Sequence, residues 1–244
     1  MARSSGTAAN ELKVLCGGAL HQVLDQLGQA YRRARGVAVH AEFATSAAIA
    51  DRAAQGEDCD IVISTDRAVE GLSAAGKIVA DSAAVVARSA IGVAVRAGLP
   101  KPDISSTEAF VAALRRASSI ARADPAFRTP SGVYIQNLFD RLGLTAELQP
   151  KTLLIASIGG KPVVVCEAVA KGEAELGIQQ ISEIVAVPGV DLVGPLPPEI
   201  QHITVFSAAI TAHAVRPQLS RDFIAFLTSD AAKPVLAANG MESA

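Results

Sequence analysis

The chain has 244 residues, with 22 basic against 24 acidic side chains and a net charge of −2, and it lacks any Lys/Arg block interleaved with aromatics, which argues against a nucleic-acid partner. Half of the residues are apolar and 19% are charged, a globular profile long enough for one large domain or two lobes with a substantial core. With no Trp, two Tyr and seven Phe there is little from which to build stacking platforms for sugars or bases.

The first residues, Met1-Ala2-Arg3-Ser4-Ser5-Gly6-Thr7-Ala8-Ala9-Asn10, lack the apolar core of a secretory signal and read as a disordered leader or an expression scar. The expected location is therefore periplasmic if a signal peptide was removed, and otherwise cytoplasmic. No run of roughly 18 apolar residues is present to insert into a membrane. Cys16, Cys59 and Cys166 are odd in number, with no CxxC and no His at ligand spacing. Buried free thiols are expected, with no metal site and no cofactor.

Leu12-Lys13-Val14-Leu15-Cys16 reads as a short strand that stops at Gly17-Gly18-Ala19. Leu20, Val23, Leu24, Leu27 and Tyr31 then recur at helical spacing, and Gly36 stands where a helix cap is expected. Residues 37–43 alternate as a strand, Thr45-Ser46 starts a helix over 47–55, residues 60–64 form a buried strand, and Asp66 caps a helix to about residue 75. Strands alternating with helices in this way predict βαβ units and a parallel sheet covered on both faces.

Residues 83–97 change character: two apolar β runs, interrupted by Arg88-Ser89, follow one another without a helix, as a chain passing from one lobe to another would. Ser105-Ser106-Thr107-Glu108 is a capping-box start for the next helix. A strand at 119–125, an amphipathic helix at 131–142, a strand at 152–156, a helix at 161–171 and a buried strand at 175–178 follow. Val193-Gly194-Pro195-Leu196-Pro197-Pro198 reads as a return connection, because proline does not fit a central strand. A strand at 204–211 and helices at 216–227 and 231–238 complete the chain.

Small or hydroxylated residues directly after a strand recur at Gly17-Gly18-Ala19, Thr45-Ser46, Pro130-Ser131-Gly132 and Ser157-Ile158-Gly159-Gly160. Each alone is no more than a tight turn or an N-cap, and Gly17-Gly18 is not a dinucleotide fingerprint, since GxGxxG is absent. Together they predict helix starts whose unpaired N–H groups converge on one small anion. Arg88 and Arg122 break apolar β runs, either as surface residues on an edge or as partners for a carboxylate or similar oxyanion. Gln179-Gln180 after a buried strand must find partners or face a cleft. His21, His40, His202 and His213 are scattered, and no Ser/His/Asp, Cys/His or Walker pattern occurs.

These segments resemble the periplasmic molybdate-binding proteins and their wider bacterial solute-binding relatives. The likeness runs through the Leu12 to Leu20 start, Phe43-Ala44-Thr45-Ser46, Cys59-Asp60-Ile61-Val62-Ile63-Ser64, Asp124-Pro125 with Pro130-Ser131-Gly132-Val133-Tyr134, and Gly172-Glu173-Ala174-Glu175-Leu176-Gly177-Ile178. It implies an α/β, two-lobed type II periplasmic-binding-protein fold, each lobe a mainly parallel sheet flanked by helices, with a two-strand hinge and the ligand enclosed by closure of the lobes. Residues 1–83 plus 204–244 would form the first lobe and 84–203 the second, hinge crossings included. In that family hydroxyls in the first two turns and a Tyr after the strand here at Leu176 to Ile178 hold the oxyanion. This chain has Gly18-Ala19 in place of the first Ser and Gln179-Gln180-Ile181-Ser182-Glu183 in place of the Tyr run, a set better suited to carboxylates than to molybdate.

The resemblance implies a monomeric solute-binding protein of an ABC-type importer, with a small anion as ligand and the permease as partner. The expected ligand residues are Gly18, Ala19, Thr45, Ser46, Arg88, Ser131, Gly132, Gly159 and Gln179. The alternatives are a cytoplasmic anion sensor or an isomerase of an unsaturated di- or tricarboxylate, similar to aconitate isomerases. An isomerase needs a base, and His21, Tyr134 and Glu183 are the candidates.

Overall fold

The computed structural model describes residues 10–244. The leader read over the first residues lies outside the described ones. The chain divides into two compact units, one of residues 10–87 with Val205–Ala238 and Glu242–Ala244, the other of Arg88–Thr204 with Asn239–Met241.

The first unit opens with β1 (Glu11–Gly17), a single 3₁₀ turn (Gly18–Leu20) and α1 (His21–Arg35), which ends on Gly36 in the left-handed conformation at φ 70°. β2 (Ala38–Ala44), α2 (Ser46–Ala54), β3 (Ile61–Thr65) and α3 (Asp66–Ala74) follow. β1 lies between β2 and β3 and is parallel to both, as the alternation of strands and helices predicts. Leu15 and Val62 face α2 and α3 through Ile49, Val69 and Leu72, one of the unit's apolar layers. On α1, Tyr31 packs its ring against Phe223 and Phe226 at 4.9 and 5.2 Å.

β4 (Ala84–Arg96) carries the chain into the second unit as one unbroken 13-residue strand, so Arg88-Ser89 does not split it into two runs. α4 (Thr107–Arg116) starts on Ser106, whose Oγ accepts from Ala109 N at 3.2 Å. Then come β5 (Ile120–Ala123), α5 (Pro130–Arg141), the one-turn α6 (Thr145–Leu148) and β6 (Thr152–Ile155). The helix predicted at 161–171 is only α7 (Cys166–Ala170), because Gly159 and Gly160 are left-handed, at φ 61° and 75°, and Pro162 has no N–H to give. β7 (Leu176–Gln180) and α8 (Ile181–Val185) precede β8 (Val190–Pro195). β8 pairs antiparallel with β4, so the region read as a return connection begins with a strand, with Pro195 at its very end.

β5 lies parallel to both β6 and β7, and β7 runs antiparallel to β4. Side chains alternate across β5. Ile120 joins Phe110, Ile135, Leu138 and Phe139 under α4 and α5, while Ala121 and Ala123 pack with Val165, Ala168 and Val169 under α7. β9 (Ile203–Ile210) returns to the first unit and pairs antiparallel with β3, followed by α9 (Pro217–Leu227) and α10 (Lys233–Ala238). Asn239–Met241 belong to the second unit. A Cβ on Gly240 would meet Ile181 Cγ2 at 2.6 Å, so the tail passes α8 at main-chain distance.

Candidate functional site

In the first unit the register fixes where the strands end. Gly17 pairs with Ala44, and Cys16 with Ile63, so Gly17-Gly18, Thr45-Ser46 and Ser64-Thr65 leave the sheet at one end. Three helical segments start there. Thr45 caps α2 by accepting from Ala48 N at 3.2 Å, which leaves its own hydroxyl proton to donate. Thr65, not Asp66, caps α3 in the same way, and Asp66 accepts from Ser207 Oγ at 2.6 Å. Ser46 is buried, and Ser64 Oγ donates to its carbonyl at 3.3 Å. The turn from Gly17 through Gly18 and Ala19 carries no side-chain cap, and a Cβ on Gly17 would stand 3.4 Å from Ser46 Oγ. Glycine there lets main chain come close to a hydroxyl. His21 is exposed, its ring 4.2 Å from that of Phe43 and its Nε2 3.3 Å from Asp25.

The second unit repeats the arrangement. Parallel β5, β6 and β7 direct Asp124, Ala156-Ser157 and Gln180 to one end of their sheet. Thr129 is the cap of α5 and accepts from Gly132 N at 3.2 Å, while Ser131 sits buried in the first turn. The Pro-initiated helix start read at Pro130-Ser131-Gly132 is therefore present, with the preceding Thr129 as the capping residue. Gly132 lies so near β5 that a Cβ would meet Ala123 O at 3.1 Å and Ala123 Cβ at 3.2 Å. Ser157 Oγ donates to Lys161 O at 2.7 Å and closes the turn holding Gly159. Arg88 is half-buried in β4.

Several side chains are committed elsewhere. Tyr134 donates its hydroxyl to Ile200 O at 2.8 Å and stacks on His202 at 4.7 Å. Gln179 is 1% exposed and spends its amide on main chain, Oε1 accepting from Val165 N at 3.0 Å and Nε2 donating to Val163 O at 2.6 Å. Gln180 donates to Thr204 Oγ1 at 2.8 Å, beside Ser89 and Ser182, whose hydroxyls are 3.4 Å apart. The amide pair Gln179-Gln180 was marked in the sequence as needing partners, but Ser89, Ser182 and Thr204 were not. Arg122 is neither an edge residue nor a fork on a carboxylate. It is 5% exposed, bonded through Nη2 to Gln136 Oε1 at 2.5 Å, and lies 5.5 Å over the Phe139 ring, with its proton affinity lowered by burial.

Glu183, in α8 directly after β7, is the unusual acid. The residue keeps part of its surface, yet burial pushes its carboxyl up to about 8, against the opposing pull of hydrogen bonds from the Gln179 side chain and the Gln180 main chain. A carboxyl in that range exchanges its proton at neutral pH. No three His, Cys, Asp or Glu side chains gather to hold a metal ion among the described residues, and no helix there is long and apolar enough to cross a membrane.

Two α/β units, each directing helix starts from the carboxyl ends of parallel strands, define a type II periplasmic-binding-protein fold. The chain belongs to the family described as bacterial extracellular solute-binding protein, whose model matches residues 12–242. It is 38% identical over 231 residues to an aconitate isomerase of Pseudomonas sp, covering 92% of this chain and 85% of that one. It is 24% identical over 202 residues to the molybdate-binding protein ModA of Escherichia coli strain K12, covering 82% of this chain and 77% of that one. The solved periplasmic molybdate-binding protein of Azotobacter vinelandii superposes with a TM-score of 0.77 at 22% identity, over 94% of this chain and 98% of that one.

Proposed function

We propose that this chain binds a small polycarboxylate and moves its carbon–carbon double bond, as an isomerase on a solute-binding scaffold. The observation that carries this reading is Glu183, a carboxyl held near neutrality at the carboxyl end of β7, in a chain 38% identical to an aconitate isomerase. Of the three candidate bases, Tyr134 donates its hydroxyl in a hydrogen bond to Ile200 O, and His21 lies in an exposed contact with Asp25 and Phe43.

In the ionised form Glu183 takes a proton from the methylene carbon next to the double bond. The C–H electron pair becomes the new double bond, the old one opens toward its far carbon, and Glu183 returns the proton there. Nothing is oxidised or reduced. Negative charge builds up on the substrate's carboxylates on the way, and donors already in position stabilise it. The hydroxyls of Thr45, Ser46 and Ser131 and the main chain at Gly18, Ala19 and Gly159 are the donors we assign, with Arg88 as counter-charge. The Gly132 N–H is already taken by Thr129, so that residue serves close packing instead.

A second reading is a receptor that delivers the same anion unchanged to an ABC-type permease from outside the cytoplasm. Family membership and the molybdate-binding relatives favour it. NMR of aconitate in deuterated buffer separates the two. An isomerase converts one geometric isomer into the other and places solvent deuterium on carbon, whereas a receptor binds the acid and leaves its spectrum unchanged.

A further inference from the structure

Among the described residues, three stretches carry the chain between its compact units: β4 between Ala87 and Arg88, β9 between Thr204 and Val205, and the tail that joins the second unit only for Asn239–Met241. Each meets the same junction, where β7 passes into α8. Gln180 Nε2 donates to Thr204 Oγ1 at 2.8 Å, and Ser182 Oγ lies 3.4 Å from Ser89 Oγ, so a hydroxyl beside each strand crossing is tied to the junction. Ile181, between those two residues, is gripped by glycines. A Cβ on Gly92 of β4 would come within 2.8 Å of its Cγ1, and one on Gly240 of the tail within 2.6 Å of its Cγ2. All of these contacts lie inside the second unit.

Gln180, Ser182, Ser89 and Thr204 are each at most 4% exposed, and Gln180 Oε1 is buried with no hydrogen-bond partner among the described residues. Burying an amide with part of its bonding unmet is unfavourable, so this polar set is not there for stability. What it supplies is direction, since hydrogen bonds fix an angle where apolar contacts slide. We infer that Gln180 and Ser182 are positioning residues, an anchor that holds the start of α8 to the crossing strands, so that Glu183, the next residue of α8, keeps one place relative to Ser89 and Thr204. This rests on the proposed role of Glu183 as the base.

Strand pairing does not do this work. The ladder between β4 and β7 ends at Ile91 and Gln180, so Ser89 reaches Ser182 just past the last paired residues, where main-chain bonds no longer set the register. Thr204 belongs to β9, which forms no ladder with β7. At both crossings side chains take over what the main chain does elsewhere in the sheet.

The test is amide hydrogen exchange on the full-length protein, read together with the kinetics of aconitate conversion. Thr204→Val keeps the branched shape and removes the hydroxyl to which Gln180 donates, while Thr204→Ser keeps the hydroxyl. In Thr204→Val, exchange in α8 is expected to accelerate roughly tenfold, the worth of one hydrogen bond. The kcat is expected to fall by a similar factor with KM little changed, since misplacing a reacting group costs rate before affinity. Thr204→Ser is expected to restore both. Should Thr204→Val not fold, Ser89→Ala gives the same readouts from the other crossing. Acceleration confined to the neighbourhood of the substituted residue, with α8 unchanged, makes the hydroxyls local struts and overturns the inference. Failure of the base reading looks different: α8 loosens, but aconitate conversion stays at the wild-type rate or is absent from the wild type as well.

Discussion

Glu183 makes a prediction about stability as well as chemistry. Its folded pKa of about 8 stands above the ordinary value of 4.5, so between those values the folded chain keeps a proton that the unfolded chain has released. The resulting stabilisation is complete below about pH 4.5 and is lost as pH rises through about 8. Glu183→Gln keeps the neutral form at every pH. Its melting temperature is expected to exceed that of the wild type by several degrees at pH 8.5, with the gap closing toward pH 5, as read by calorimetric scans. Parallel curves would show that this carboxyl ionises normally. Arg122 is a different case at the same scale. Two of its guanidinium nitrogens, Nε and Nη1, are buried without a hydrogen-bond partner, and its cation is held by an uncharged amide. From the sequence an Arg inside an apolar run could be read as an edge residue or an anion ligand. Its burial beneath Phe139 depends on contacts from α5 that spacing along β5 does not encode.

Among the elements, close packing at helix starts is the most exposed to test. Gly132 brings the first turn of α5 onto β5, and Gly132→Ala places a methyl 3.1 Å from Ala123 O and 2.6 Å from Thr129 Oγ1. Destabilisation of about 1–3 kcal/mol is expected from denaturant titration, whereas an unchanged midpoint would mean that the helix start yields freely. The βα alternation of the first unit was legible because each strand is a compact apolar run closed by a turn residue, and Gly36 marks the end of α1. Elements that borrow their stability from elsewhere were not. α8 and α6 are single turns too short to show a period, and β8 exists because β4 offers it an edge despite Gly194-Pro195. The sequence reading has a helix over 161–171, but the stretch before Cys166 is not helical. It is instead held by Gln179, a contact from 14 residues away. The candidate site was legible to the same degree: Thr45-Ser46 and Ser131-Gly132 could be found as strand-to-helix turns, but not that Gln179 is spent on main chain.

For the whole molecule, the balance between two relatives decides the chemistry proposed. The fold is shared with molybdate-binding proteins, while the 38% identity to an aconitate isomerase extends over 92% of the chain. At the end of β7 and the start of α8, Gln179, Gln180 and Glu183 stand where the resemblance to molybdate-binding proteins implies a phenol. A tetrahedral metal oxyanion needs a compact shell of hydroxyls and N–H groups. An extended polycarboxylate needs donors spread over several helix starts, and each unit has them at the carboxyl ends of its strands. Isothermal titration of the full-length protein with aconitate, citrate, molybdate and sulfate, at one pH and ionic strength, tests this most directly. Saturable binding of the tricarboxylates, lost at least tenfold on Thr45→Val with Ser46→Ala, and no heat from molybdate is the result predicted. Tight binding of molybdate or sulfate with the tricarboxylates silent would contradict it.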